Sequence, residues 1–385
     1  MARLNIGIVG GGLIGRTHTV GYNMMKTFFA DETRDVYLRM IAERDAELAK
    51  TTAERLAIPE WTDNWRELVS SDEIDLVFVC VPNDMHKEIA LETIANGKHI
   101  FCEKPLARTT GEAQEIADTA ERAGVKHGIG FNYRKAPAVQ LIKRWIDEGR
   151  LGKVVGFRGS FIQDWGLDET GPLSWRFRKE IAGSGSLGDL GSHVLDMARF
   201  LVGEISQVAG LLSTHITERP IGAGGLGHKA EGGVVKMGKV DVDDICDVLL
   251  QFENGAQGSL VASRLASGKK NHFDFEIYGM KGAVFFDWER PNEVLLSTFD
   301  TPNERSGFTR VLTGGFDHPY GEALWPIPGM GIGFGETFAV QMYEMVKAIQ
   351  DDGSVNPNFQ DGLKINKLCD AIQKSADSKQ WVSLS

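Results

Sequence analysis

The stretch LNIGIVGGGLIGRTH, residues 4–18, decides the fold of the first part of the chain. Its apolar run from Leu4 to Val9 is typical of a buried strand, and the residues that follow the glycines favour a helix. Gly10, Gly12 and Gly15 match the GxGxxG pattern in the strand-turn-helix context that this pattern requires. The stretch therefore predicts the first strand and helix of a dinucleotide-binding sheet.

Each glycine of this pattern has a separate physical role. Gly10 permits a tight turn, Gly12 lets a pyrophosphate approach the backbone, and Gly15 allows the helix to pack closely on the strand. The helix N-terminus then offers the N–H groups of Leu13 and Ile14 and the positive end of the helix dipole. We predict that these five residues bind a dinucleotide. The alternative is a glycine-rich turn that joins any strand to any helix.

The next apolar strand, YLRMIAERD at 37–45, ends at Glu43. A carboxylate at the end of this strand can accept both ribose hydroxyls of the nucleotide and disfavours a 2′-phosphate. We therefore predict NAD as the cofactor. Arg44 could pair with a phosphate, so NADP remains the alternative cofactor, and Glu43 could also be an ordinary surface carboxylate.

Two further stretches extend the same sheet. IDLVFVCVPNDMH at 74–86 and KHIFCEKPLA at 98–107 are apolar strands separated by a helical segment. Strands and helices alternate to about residue 127, which predicts a doubly wound parallel sheet of the α/β class. Ligands of such sheets bind beyond the carboxyl ends of the strands. The residues that we predict near the cofactor at these ends are Pro82, Asn83, His86, Glu103, Lys104 and Asn132.

The length of 385 residues favours two domains, a dinucleotide-binding domain over 1–128 and a second domain over 129–385. The second domain is rich in alternating or apolar β segments and predicts a large, mostly antiparallel sheet, one face of which covers helices around 187–203. We predict a long glycine-rich loop over 214–244 and interpret DVDD at 241–244 as a solvated strand entrance, with no metal site.

Composition excludes several classes of function. The 53 acidic and 42 basic side chains give a formal charge of −11, which argues against a nucleic-acid partner. The four scattered cysteines are interpreted as reduced core thiols. No stretch is apolar enough to predict a membrane span, so we expect a cytoplasmic protein.

Four motifs in order carry a family resemblance: the glycine pattern, VPNDMH, CEKPLA and GSGSLGDLGSHVLDMARFLVG at 183–203. Together they resemble the Gfo/Idh/MocA oxidoreductase family over essentially the whole chain. In the family's dehydrogenases, the Lys of the EKP string and an Asp and His four residues apart form the catalytic set. The matching residues here are Lys104, Asp189 and His193. The resemblance also implies a homodimer or homotetramer.

The chemistry of these side chains agrees with that role. Oxidation of a secondary alcohol needs a base for the hydroxyl proton, and histidine titrates near neutrality. Asp189 and His193 lie at i and i+4, on one face of any helix that they share, so the carboxylate can orient the imidazole. Lys104 would hydrogen-bond the same hydroxyl and favour the developing alkoxide. The alternatives are a helix-dipole Asp, a core His and a surface Lys.

A second set of residues predicts a polyhydroxylated ring as substrate. Aromatic faces pack on the C–H groups of a sugar, and amide and guanidinium donors serve its hydroxyls. The predicted substrate-binding residues, besides the catalytic three, are Tyr133, Gln163, Trp165, Trp175, Arg176, Tyr320 and Trp325. The alternative interpretation is that the tryptophans belong to the core.

Within the family, the strings QDW, LSWRF, HPYGE and LWPIP resemble the sugar dehydrogenases that oxidise the C3 hydroxyl of a glucopyranose-like ring, such as levoglucosan or a glucoside. We therefore expect an NAD-dependent sugar or polyol dehydrogenase. Three alternatives remain: an inositol dehydrogenase, an NAD-dependent glycosidase that oxidises its substrate only transiently, and a non-catalytic regulator that senses a dinucleotide.

Overall fold

The computed structural model describes residues 3–222 and 236–384, and the chain divides into two compact units. The first unit comprises 1–135 and 333–366, and the second comprises 136–332 and 367–385. Within the described residues, every helix is too short or too polar to cross a bilayer. All four cysteines are free: Cys102 and Cys246 are buried, and Cys80 and Cys369 are partly exposed.

In chain order, the α-helices of the described residues are α1 (Leu13–Phe28), α2 (Ala46–Leu56), α3 (Trp65–Ser70), α4 (His86–Ala95), α5 (Thr110–Ala123), α6 (Pro137–Asp147), α7 (Lys179–Ala182), α8 (Ser192–Leu201), α9 (Phe334–Gln350) and α10 (Phe359–Ser378). The strands are β1 (Leu4–Val9), β2 (Val36–Ala42), β3 (Glu60–Thr62), β4 (Leu76–Val79), β5 (His99–Cys102), β6 (His127–Ile129), β7 (Val154–Ile162), β8 (Ile205–Ser213), β9 (Glu218–Pro220), β10 (Met237–Lys239), β11 (Ile245–Phe252), β12 (Gln257–Ser263), β13 (His272–Gly279), β14 (Gly282–Asp287), β15 (Glu293–Thr298), β16 (Thr309–Leu312) and β17 (Val382–Ser383).

The first unit contains a parallel sheet of six strands in the order β3-β2-β1-β4-β5-β6. Strands β1 and β4 are buried along their whole length, as expected for a sheet with helices on both faces. The strand order reverses between β1 and β4, and such a reversal opens a crevice at the carboxyl ends of the two strands. The predicted doubly wound sheet is confirmed.

Helix α9 belongs to the first unit, although the sequence analysis assigned 129–385 to a second domain. The reason is its packing on α1. A Cβ added to Gly21 would lie 2.8 Å from the Cβ of Phe338, and the rings of Phe29 and Tyr343 stack at 3.8 Å. An amphipathic pattern predicts that a helix packs on something, but it does not identify a partner so distant in sequence.

The second unit contains a sheet of nine strands in the order β16-β15-β14-β13-β7-β12-β11-β8-β17. Its neighbours are antiparallel except β12 and β7, so the predicted mostly antiparallel sheet is confirmed. Strands β11 and β13 alternate buried and accessible residues, which gives the sheet one covered face and one open face. Helix α8 packs closely on β7, where a Cβ on Gly159 would lie 2.7 Å from Val194.

The predicted glycine-rich loop over 214–244 is only partly described. Its described residues include β9 and β10, which pair as a small antiparallel sheet, so this part is more ordered than a loop. Register places Glu218 opposite Lys239 and Pro220 opposite Met237. The string GAGGLGHKAEGG at 222–233 lies almost wholly outside the described residues.

Candidate active site

The glycine turn after β1 has the geometry that the sequence pattern predicts. Gly10 has φ +96°, a conformation that side chains with a Cβ rarely adopt, and a Cβ there would lie 2.6 Å from the carbonyl oxygen of Cys80. A Cβ on Gly15 would lie 2.0 Å from the carbonyl oxygen of Gly10. A Cβ on Gly12 would meet no described atom within 4 Å. The turn is therefore closed at two glycines and open at the third.

Helix α1 begins at this turn without a capping side chain. Gly12 is its N-cap, and the first turn carries no acidic residue. Gly12 and Leu13 are exposed, while Ile14 is half-buried. The first N–H groups of a helix need partners from outside the helix, and its positive dipole end favours an anion. The open side of Gly12 and this uncapped end together fit the pyrophosphate of a dinucleotide.

Glu43 follows β2 and lies against the same turn. Its Oε1 accepts a hydrogen bond from the Gly11 N–H at 2.7 Å, and its Oε2 lies 3.3 Å from the Arg44 N–H. The carboxylate is half-buried, whereas Arg44 is exposed and faces Asp45 at 3.7 Å. An acidic group held here fits the ribose hydroxyls of NAD and would repel a 2′-phosphate.

Gly12 and Gly15 make a matched test of this turn. We expect Gly15→Ala to destabilise the chain, because its Cβ would overlap the Gly10 carbonyl oxygen. We expect Gly12→Ala to keep the wild-type Tm but to bind NADH at least about tenfold more weakly, since the methyl group would stand where the pyrophosphate approaches. Calorimetry and thermal unfolding of both variants measure these effects. Wild-type NADH affinity in Gly12→Ala would remove the turn from the nucleotide site.

Glu103 and Lys104 follow β5. The Glu103 carboxylate is buried, and its Oε1 lies 2.7 Å from His18 Nε2, with both side chains almost inaccessible. The His18 ring lies on α1 and contacts the rings of Phe78 and Phe338 at 4.9 Å and 4.8 Å. Glu103 was predicted to contact the cofactor. Its carboxylate connects α1 to the turn that carries the half-buried Lys104, and a contact of Glu103 with the cofactor stays a prediction.

His86 was also predicted near the cofactor, but its ring is fully buried. Its Nδ1 and Nε2 each lie 3.0 Å from a backbone carbonyl oxygen, of Pro105 and Val81 respectively. Burial lowers the pKa of His86, and the two carbonyl groups oppose this shift. The ring joins the segments that follow β4 and β5, and a place for His86 near the cofactor stays a prediction. Pro82 is half-buried and Asn83 buried at the start of the 3-10 turn before α4.

Asn132 and Tyr133 lie in a 3-10 turn of the first unit, although the sequence analysis placed them in the second domain. Both are buried. The Asn132 amide donates to Thr337 Oγ1 at 2.8 Å, and the Tyr133 ring lies 6.2 Å from that of Phe334. The turn is therefore fixed to α9. A role for Asn132 at the cofactor and for Tyr133 at the substrate stays a prediction.

Asp189 and His193 lie on consecutive helical turns of the second unit. Leu187–Gly191 forms a π-helical turn that carries Asp189, and α8 continues from it with His193 as its second residue. Single π turns inside helices are frequent at functional sites. His193 is buried beside Phe161, at a ring distance of 5.8 Å, and Asp189 is half-buried.

Asp243 fixes the segment that leads into this helix. Its Oδ1 accepts from the Gly185 N–H at 2.7 Å, and its Oδ2 accepts from Ser186 Oγ at 2.6 Å and from the Leu187 N–H at 2.8 Å. Asp244 is buried as well, and its Oδ2 accepts two backbone N–H groups. The interpretation of DVDD as a solvated strand entrance was therefore wrong for these two residues, because their carboxylates satisfy buried backbone donors.

Arg264 holds Asp189 from the end of β12. Its guanidinium is almost wholly buried and donates to Asp189 Oδ2 at 2.9 Å, to the Arg176 carbonyl at 3.1 Å and to the Gly185 carbonyl at 3.2 Å. It also lies over the Trp165 ring, 5.2 Å from its centroid. Burial lowers the pKa of Arg176, with Asp189 opposing and Arg264 adding to this shift. Asp189 is thus the carboxylate that two arginines share.

Several predicted substrate residues gather near Arg264. The Trp165 indole N–H donates to Gln163 Oε1 at 2.7 Å, and the Gln163 amide donates to Asn271 Oδ1 at 2.6 Å. Trp165 also packs against an apolar cluster that includes Phe177, so it is partly a core residue, as the alternative interpretation held. The remaining predicted residues of this unit are half-buried: Trp175, which lies against the Arg176 guanidinium, and Tyr320 and Trp325 in the segment between β16 and α9.

Sequence reasoning missed four residues of these sites: His18, Asp243, Arg264 and Asn271. Only Asp243 had been singled out, within DVDD, and it was misinterpreted. A charged residue directly after an apolar strand, as in SLVASR at 259–264, was the one signal for Arg264. The partners of the other residues are far away in sequence, and no local spacing indicates them.

Two family models match the chain. Residues 4–131 match the oxidoreductase family with an NAD-binding Rossmann fold, GFO/IDH/MocA, and residues 139–285 match a GFO/IDH/MocA C-terminal domain. The two matches correspond to the sheet of the first unit and to most of the sheet of the second.

Relatives of the chain include levoglucosan dehydrogenase from Pseudarthrobacter phenanthrenivorans, 44% identical over 100% of this chain and 99% of that protein. Glucose-6-phosphate 3-dehydrogenase from Bacillus subtilis is 27% identical over 99% of this chain and 98% of that protein. Among solved structures, levoglucosan dehydrogenase in complex with NADH and levoglucosan is 43% identical, with a TM-score of 0.94 and 99% of each chain covered.

Proposed function

The chain belongs to the GFO/IDH/MocA oxidoreductase family. Because it does, we propose that it oxidises the C3 hydroxyl of levoglucosan or of a similar glucopyranose ring to a ketone. The coarser assignment, an NAD-dependent sugar dehydrogenase, follows from the same relatives. The observation that carries the proposal is 44% identity to a levoglucosan dehydrogenase along the whole chain. The relative from Bacillus subtilis is a glucose-6-phosphate 3-dehydrogenase, which supports oxidation at C3 of the sugar.

The first unit has the residues that would hold NAD. The N–H groups at the start of α1 and the open side of Gly12 would receive the pyrophosphate, and Glu43 would accept the ribose hydroxyls. When bound, NAD⁺ supplies the acceptor for the hydride that leaves the sugar carbon. Glu103 and His18 would act through Lys104, by fixing the turn on which it stands.

The proposed catalytic residues have different roles in the transfer of the hydroxyl proton. The His193 imidazole would accept the proton of the C3 hydroxyl while hydride leaves C3 for the nicotinamide. The products would be a ketone, NADH and a protonated imidazole. Asp189 would stabilise the imidazolium, and Arg264 would hold Asp189 in one orientation. The Lys104 ammonium would donate to the same hydroxyl oxygen and stabilise its developing negative charge.

The proposed sugar site draws on polar and aromatic side chains. We assign the ring hydroxyls to Arg176 and Gln163, whose donors suit directional hydrogen bonds. The aromatic faces would pack on the C–H groups of the ring, and the residues proposed for this are Tyr133, Trp165, Trp175, Tyr320 and Trp325. Trp175, Tyr320 and Trp325 are half-buried, so part of each residue is accessible to a ligand.

Isotope transfer tests the substrate and the position together. With NAD⁺ and levoglucosan carrying deuterium at C3, we expect NADH absorbance to rise and the deuterium to appear in the reduced nicotinamide. Levoglucosan with deuterium at C2 should give unlabelled NADH. Glucose, methyl glucoside, glucose 6-phosphate and myo-inositol serve as comparison substrates. Label transfer from C2 would reject the C3 assignment, and turnover of myo-inositol alone would favour the inositol dehydrogenase instead.

The same assay distinguishes a dehydrogenase from a glycosidase and from a regulator. A glycosidase that oxidises its substrate transiently would cleave the glycosidic bond of methyl glucoside without net formation of NADH. A dinucleotide-sensing regulator would bind NADH and turn over none of the sugars. Either result would overturn the assignment of the chain as a dehydrogenase.

We also propose a homodimer or homotetramer. The open face of the nine-stranded sheet carries exposed apolar side chains, and Leu211 and Leu249 are 67% and 54% exposed on neighbouring strands. Large apolar side chains that are exposed on neighbouring strands of a sheet face are suited to a contact between copies of the chain. Light scattering of the purified chain measures the mass, and a monomer at high concentration would contradict the proposal.

A further inference from the structure

A histidine and several carboxylates meet at one end of strands β13 and β14. His272 begins β13, Asp287 ends β14, and Glu289 follows two residues later. The His272 Nδ1 lies 3.4 Å from Asp287 Oδ1 and 3.3 Å from Glu289 Oε2. Three donor atoms, one from each of these side chains, lie within 4.8 Å of one another. The cluster is on the second unit and contains no residue of the proposed reaction.

Both distances are within the range of ion pairs and, for Glu289, of a hydrogen bond, and they also suit the ligands of a metal ion. A charge-assisted N–H···O hydrogen bond spans about 2.7–2.9 Å. Zinc bonds of about 2.0–2.2 Å in a tetrahedral arrangement place neighbouring donor atoms about 3.3–3.6 Å apart. Both distances from His272 Nδ1 fall within the zinc range. Two of the three donor–donor distances, both from His272 Nδ1, therefore match the edges of a zinc tetrahedron.

The other ring nitrogen of His272 has the partner that metal-binding histidines usually have. Its Nε2 lies 3.3 Å from Asp274 Oδ1, and Asp274 also accepts a hydrogen bond from Ser160 Oγ. A carboxylate on the far nitrogen of a histidine ligand fixes the tautomer and directs the near nitrogen toward the metal. Asp274 is the cross-strand neighbour of Asp287, so the sheet itself sets this arrangement.

The charge at the cluster also favours a cation. Asp274, Asp287 and Glu289 surround a single imidazole, and Glu276 stands two residues beyond Asp274 on the same face of β13. A divalent cation would balance this excess of negative charge. Imidazole as one of three ligands favours Zn²⁺ over Ca²⁺ or Mg²⁺, which prefer oxygen ligands alone.

We propose that His272, Asp287 and Glu289 form a Zn²⁺ site in which Asp274 orients the histidine. Three protein ligands leave one tetrahedral position for water. The ion would join the beginning of β13 to the end of β14 and to the turn after it, so its role would be to stabilise this part of the sheet. The site is independent of the proposed sugar oxidation.

Zinc titration of the untagged full chain tests this site. After dialysis against a chelator, we expect calorimetry with ZnCl₂ to give one site per chain, and saturating zinc to raise Tm by a few degrees. Co²⁺ as a substitute should produce the intense visible absorption of a tetrahedral complex. MgCl₂ should leave Tm unchanged.

Variants identify the ligands. Asp287→Asn and Glu289→Gln keep the side-chain shapes but should abolish the zinc-dependent rise in Tm. Asp274→Asn should weaken zinc binding about 10- to 100-fold, as expected for a partner of a ligand. Asp247→Asn, an exposed carboxylate on β11 of the same sheet, is the control and should bind zinc like the wild type.

Two results would overturn the proposal. One is the absence of zinc binding by the wild-type chain, which would leave His272 as a hydrogen-bonding partner of the surrounding carboxylates. The other is equal zinc affinity in Asp287→Asn and in the wild type, which would place the bound ion elsewhere, for example at a cysteine.

Discussion

Replacement of His193 by alanine is expected to lower kcat about 10²- to 10⁴-fold while NADH affinity stays at the wild-type value. The loss follows from the removal of the group that accepts the hydroxyl proton. Affinity should be preserved because the proposed nucleotide ligands, at the start of α1 and at Glu43, belong to the other unit of the chain. Steady-state kinetics with levoglucosan gives the first quantity, and calorimetry gives the second.

A second histidine of the chain serves as the control for this experiment. His215 is exposed in the same unit, and His215→Ala should keep the wild-type kcat. The His193 ring packs beside Phe161, so thermal unfolding of His193→Ala must show an intact fold before its kinetics are interpreted. A wild-type kcat in His193→Ala would end its assignment as the acid or base.

The second large effect is expected at Arg264. Methionine there would keep an apolar stem but would remove the guanidinium that lies over Trp165 and donates to Asp189 and to the carbonyl groups of Arg176 and Gly185. Loss of one member of a buried ion pair costs about 3 kcal/mol or more. We expect a lower Tm and a kcat reduced by at least about tenfold. The acidic limb of the pH profile should move to higher pH, because a carboxylate that loses a neighbouring cation is protonated more readily.

Two further variants separate positioning from stability. Arg264→Lys retains the positive charge and should keep the acidic limb at its wild-type pH even if Tm falls. Arg290→Gln removes an exposed arginine that faces Glu293 at 3.7 Å, and it should change neither Tm nor kcat. An unshifted pH profile in Arg264→Met would limit Arg264 to a purely structural role.

Local signals were sufficient for the first sheet. A strand that runs into closely spaced glycines specifies the turn through backbone geometry alone, and Glu43 follows the next strand, so both could be located from the sequence. Asp189 and His193 are only four residues apart, so the sequence could pair them. It could not predict the π turn before α8, because that turn is held by Asp243, and no spacing rule identifies this distant carboxylate.

Tertiary contacts account for the residues that the sequence could not place. Glu103 and His86 have the polarity of cofactor ligands, yet both are buried against partners on other segments. Arg264 is 75 residues from Asp189, and a lone Arg after a strand has no motif. Gln163 and Trp165 are two residues apart, and their shared place at the substrate stays a prediction. That the indole donates to the amide depends on side-chain conformations, which a sequence pattern does not contain.

The position of α9 has a consequence for the synthesis of the chain. Residues 1–135 leave the ribosome before residues 333–366, which contain the helix that packs on α1 at Gly21 and on Phe29 directly after α1. Until that segment emerges, the nascent first unit exposes an apolar helix face to chaperones and to neighbouring nascent chains. The second unit can acquire most of its sheet in this interval. Completion of the nucleotide-binding unit therefore waits until residues 333–366 have been translated.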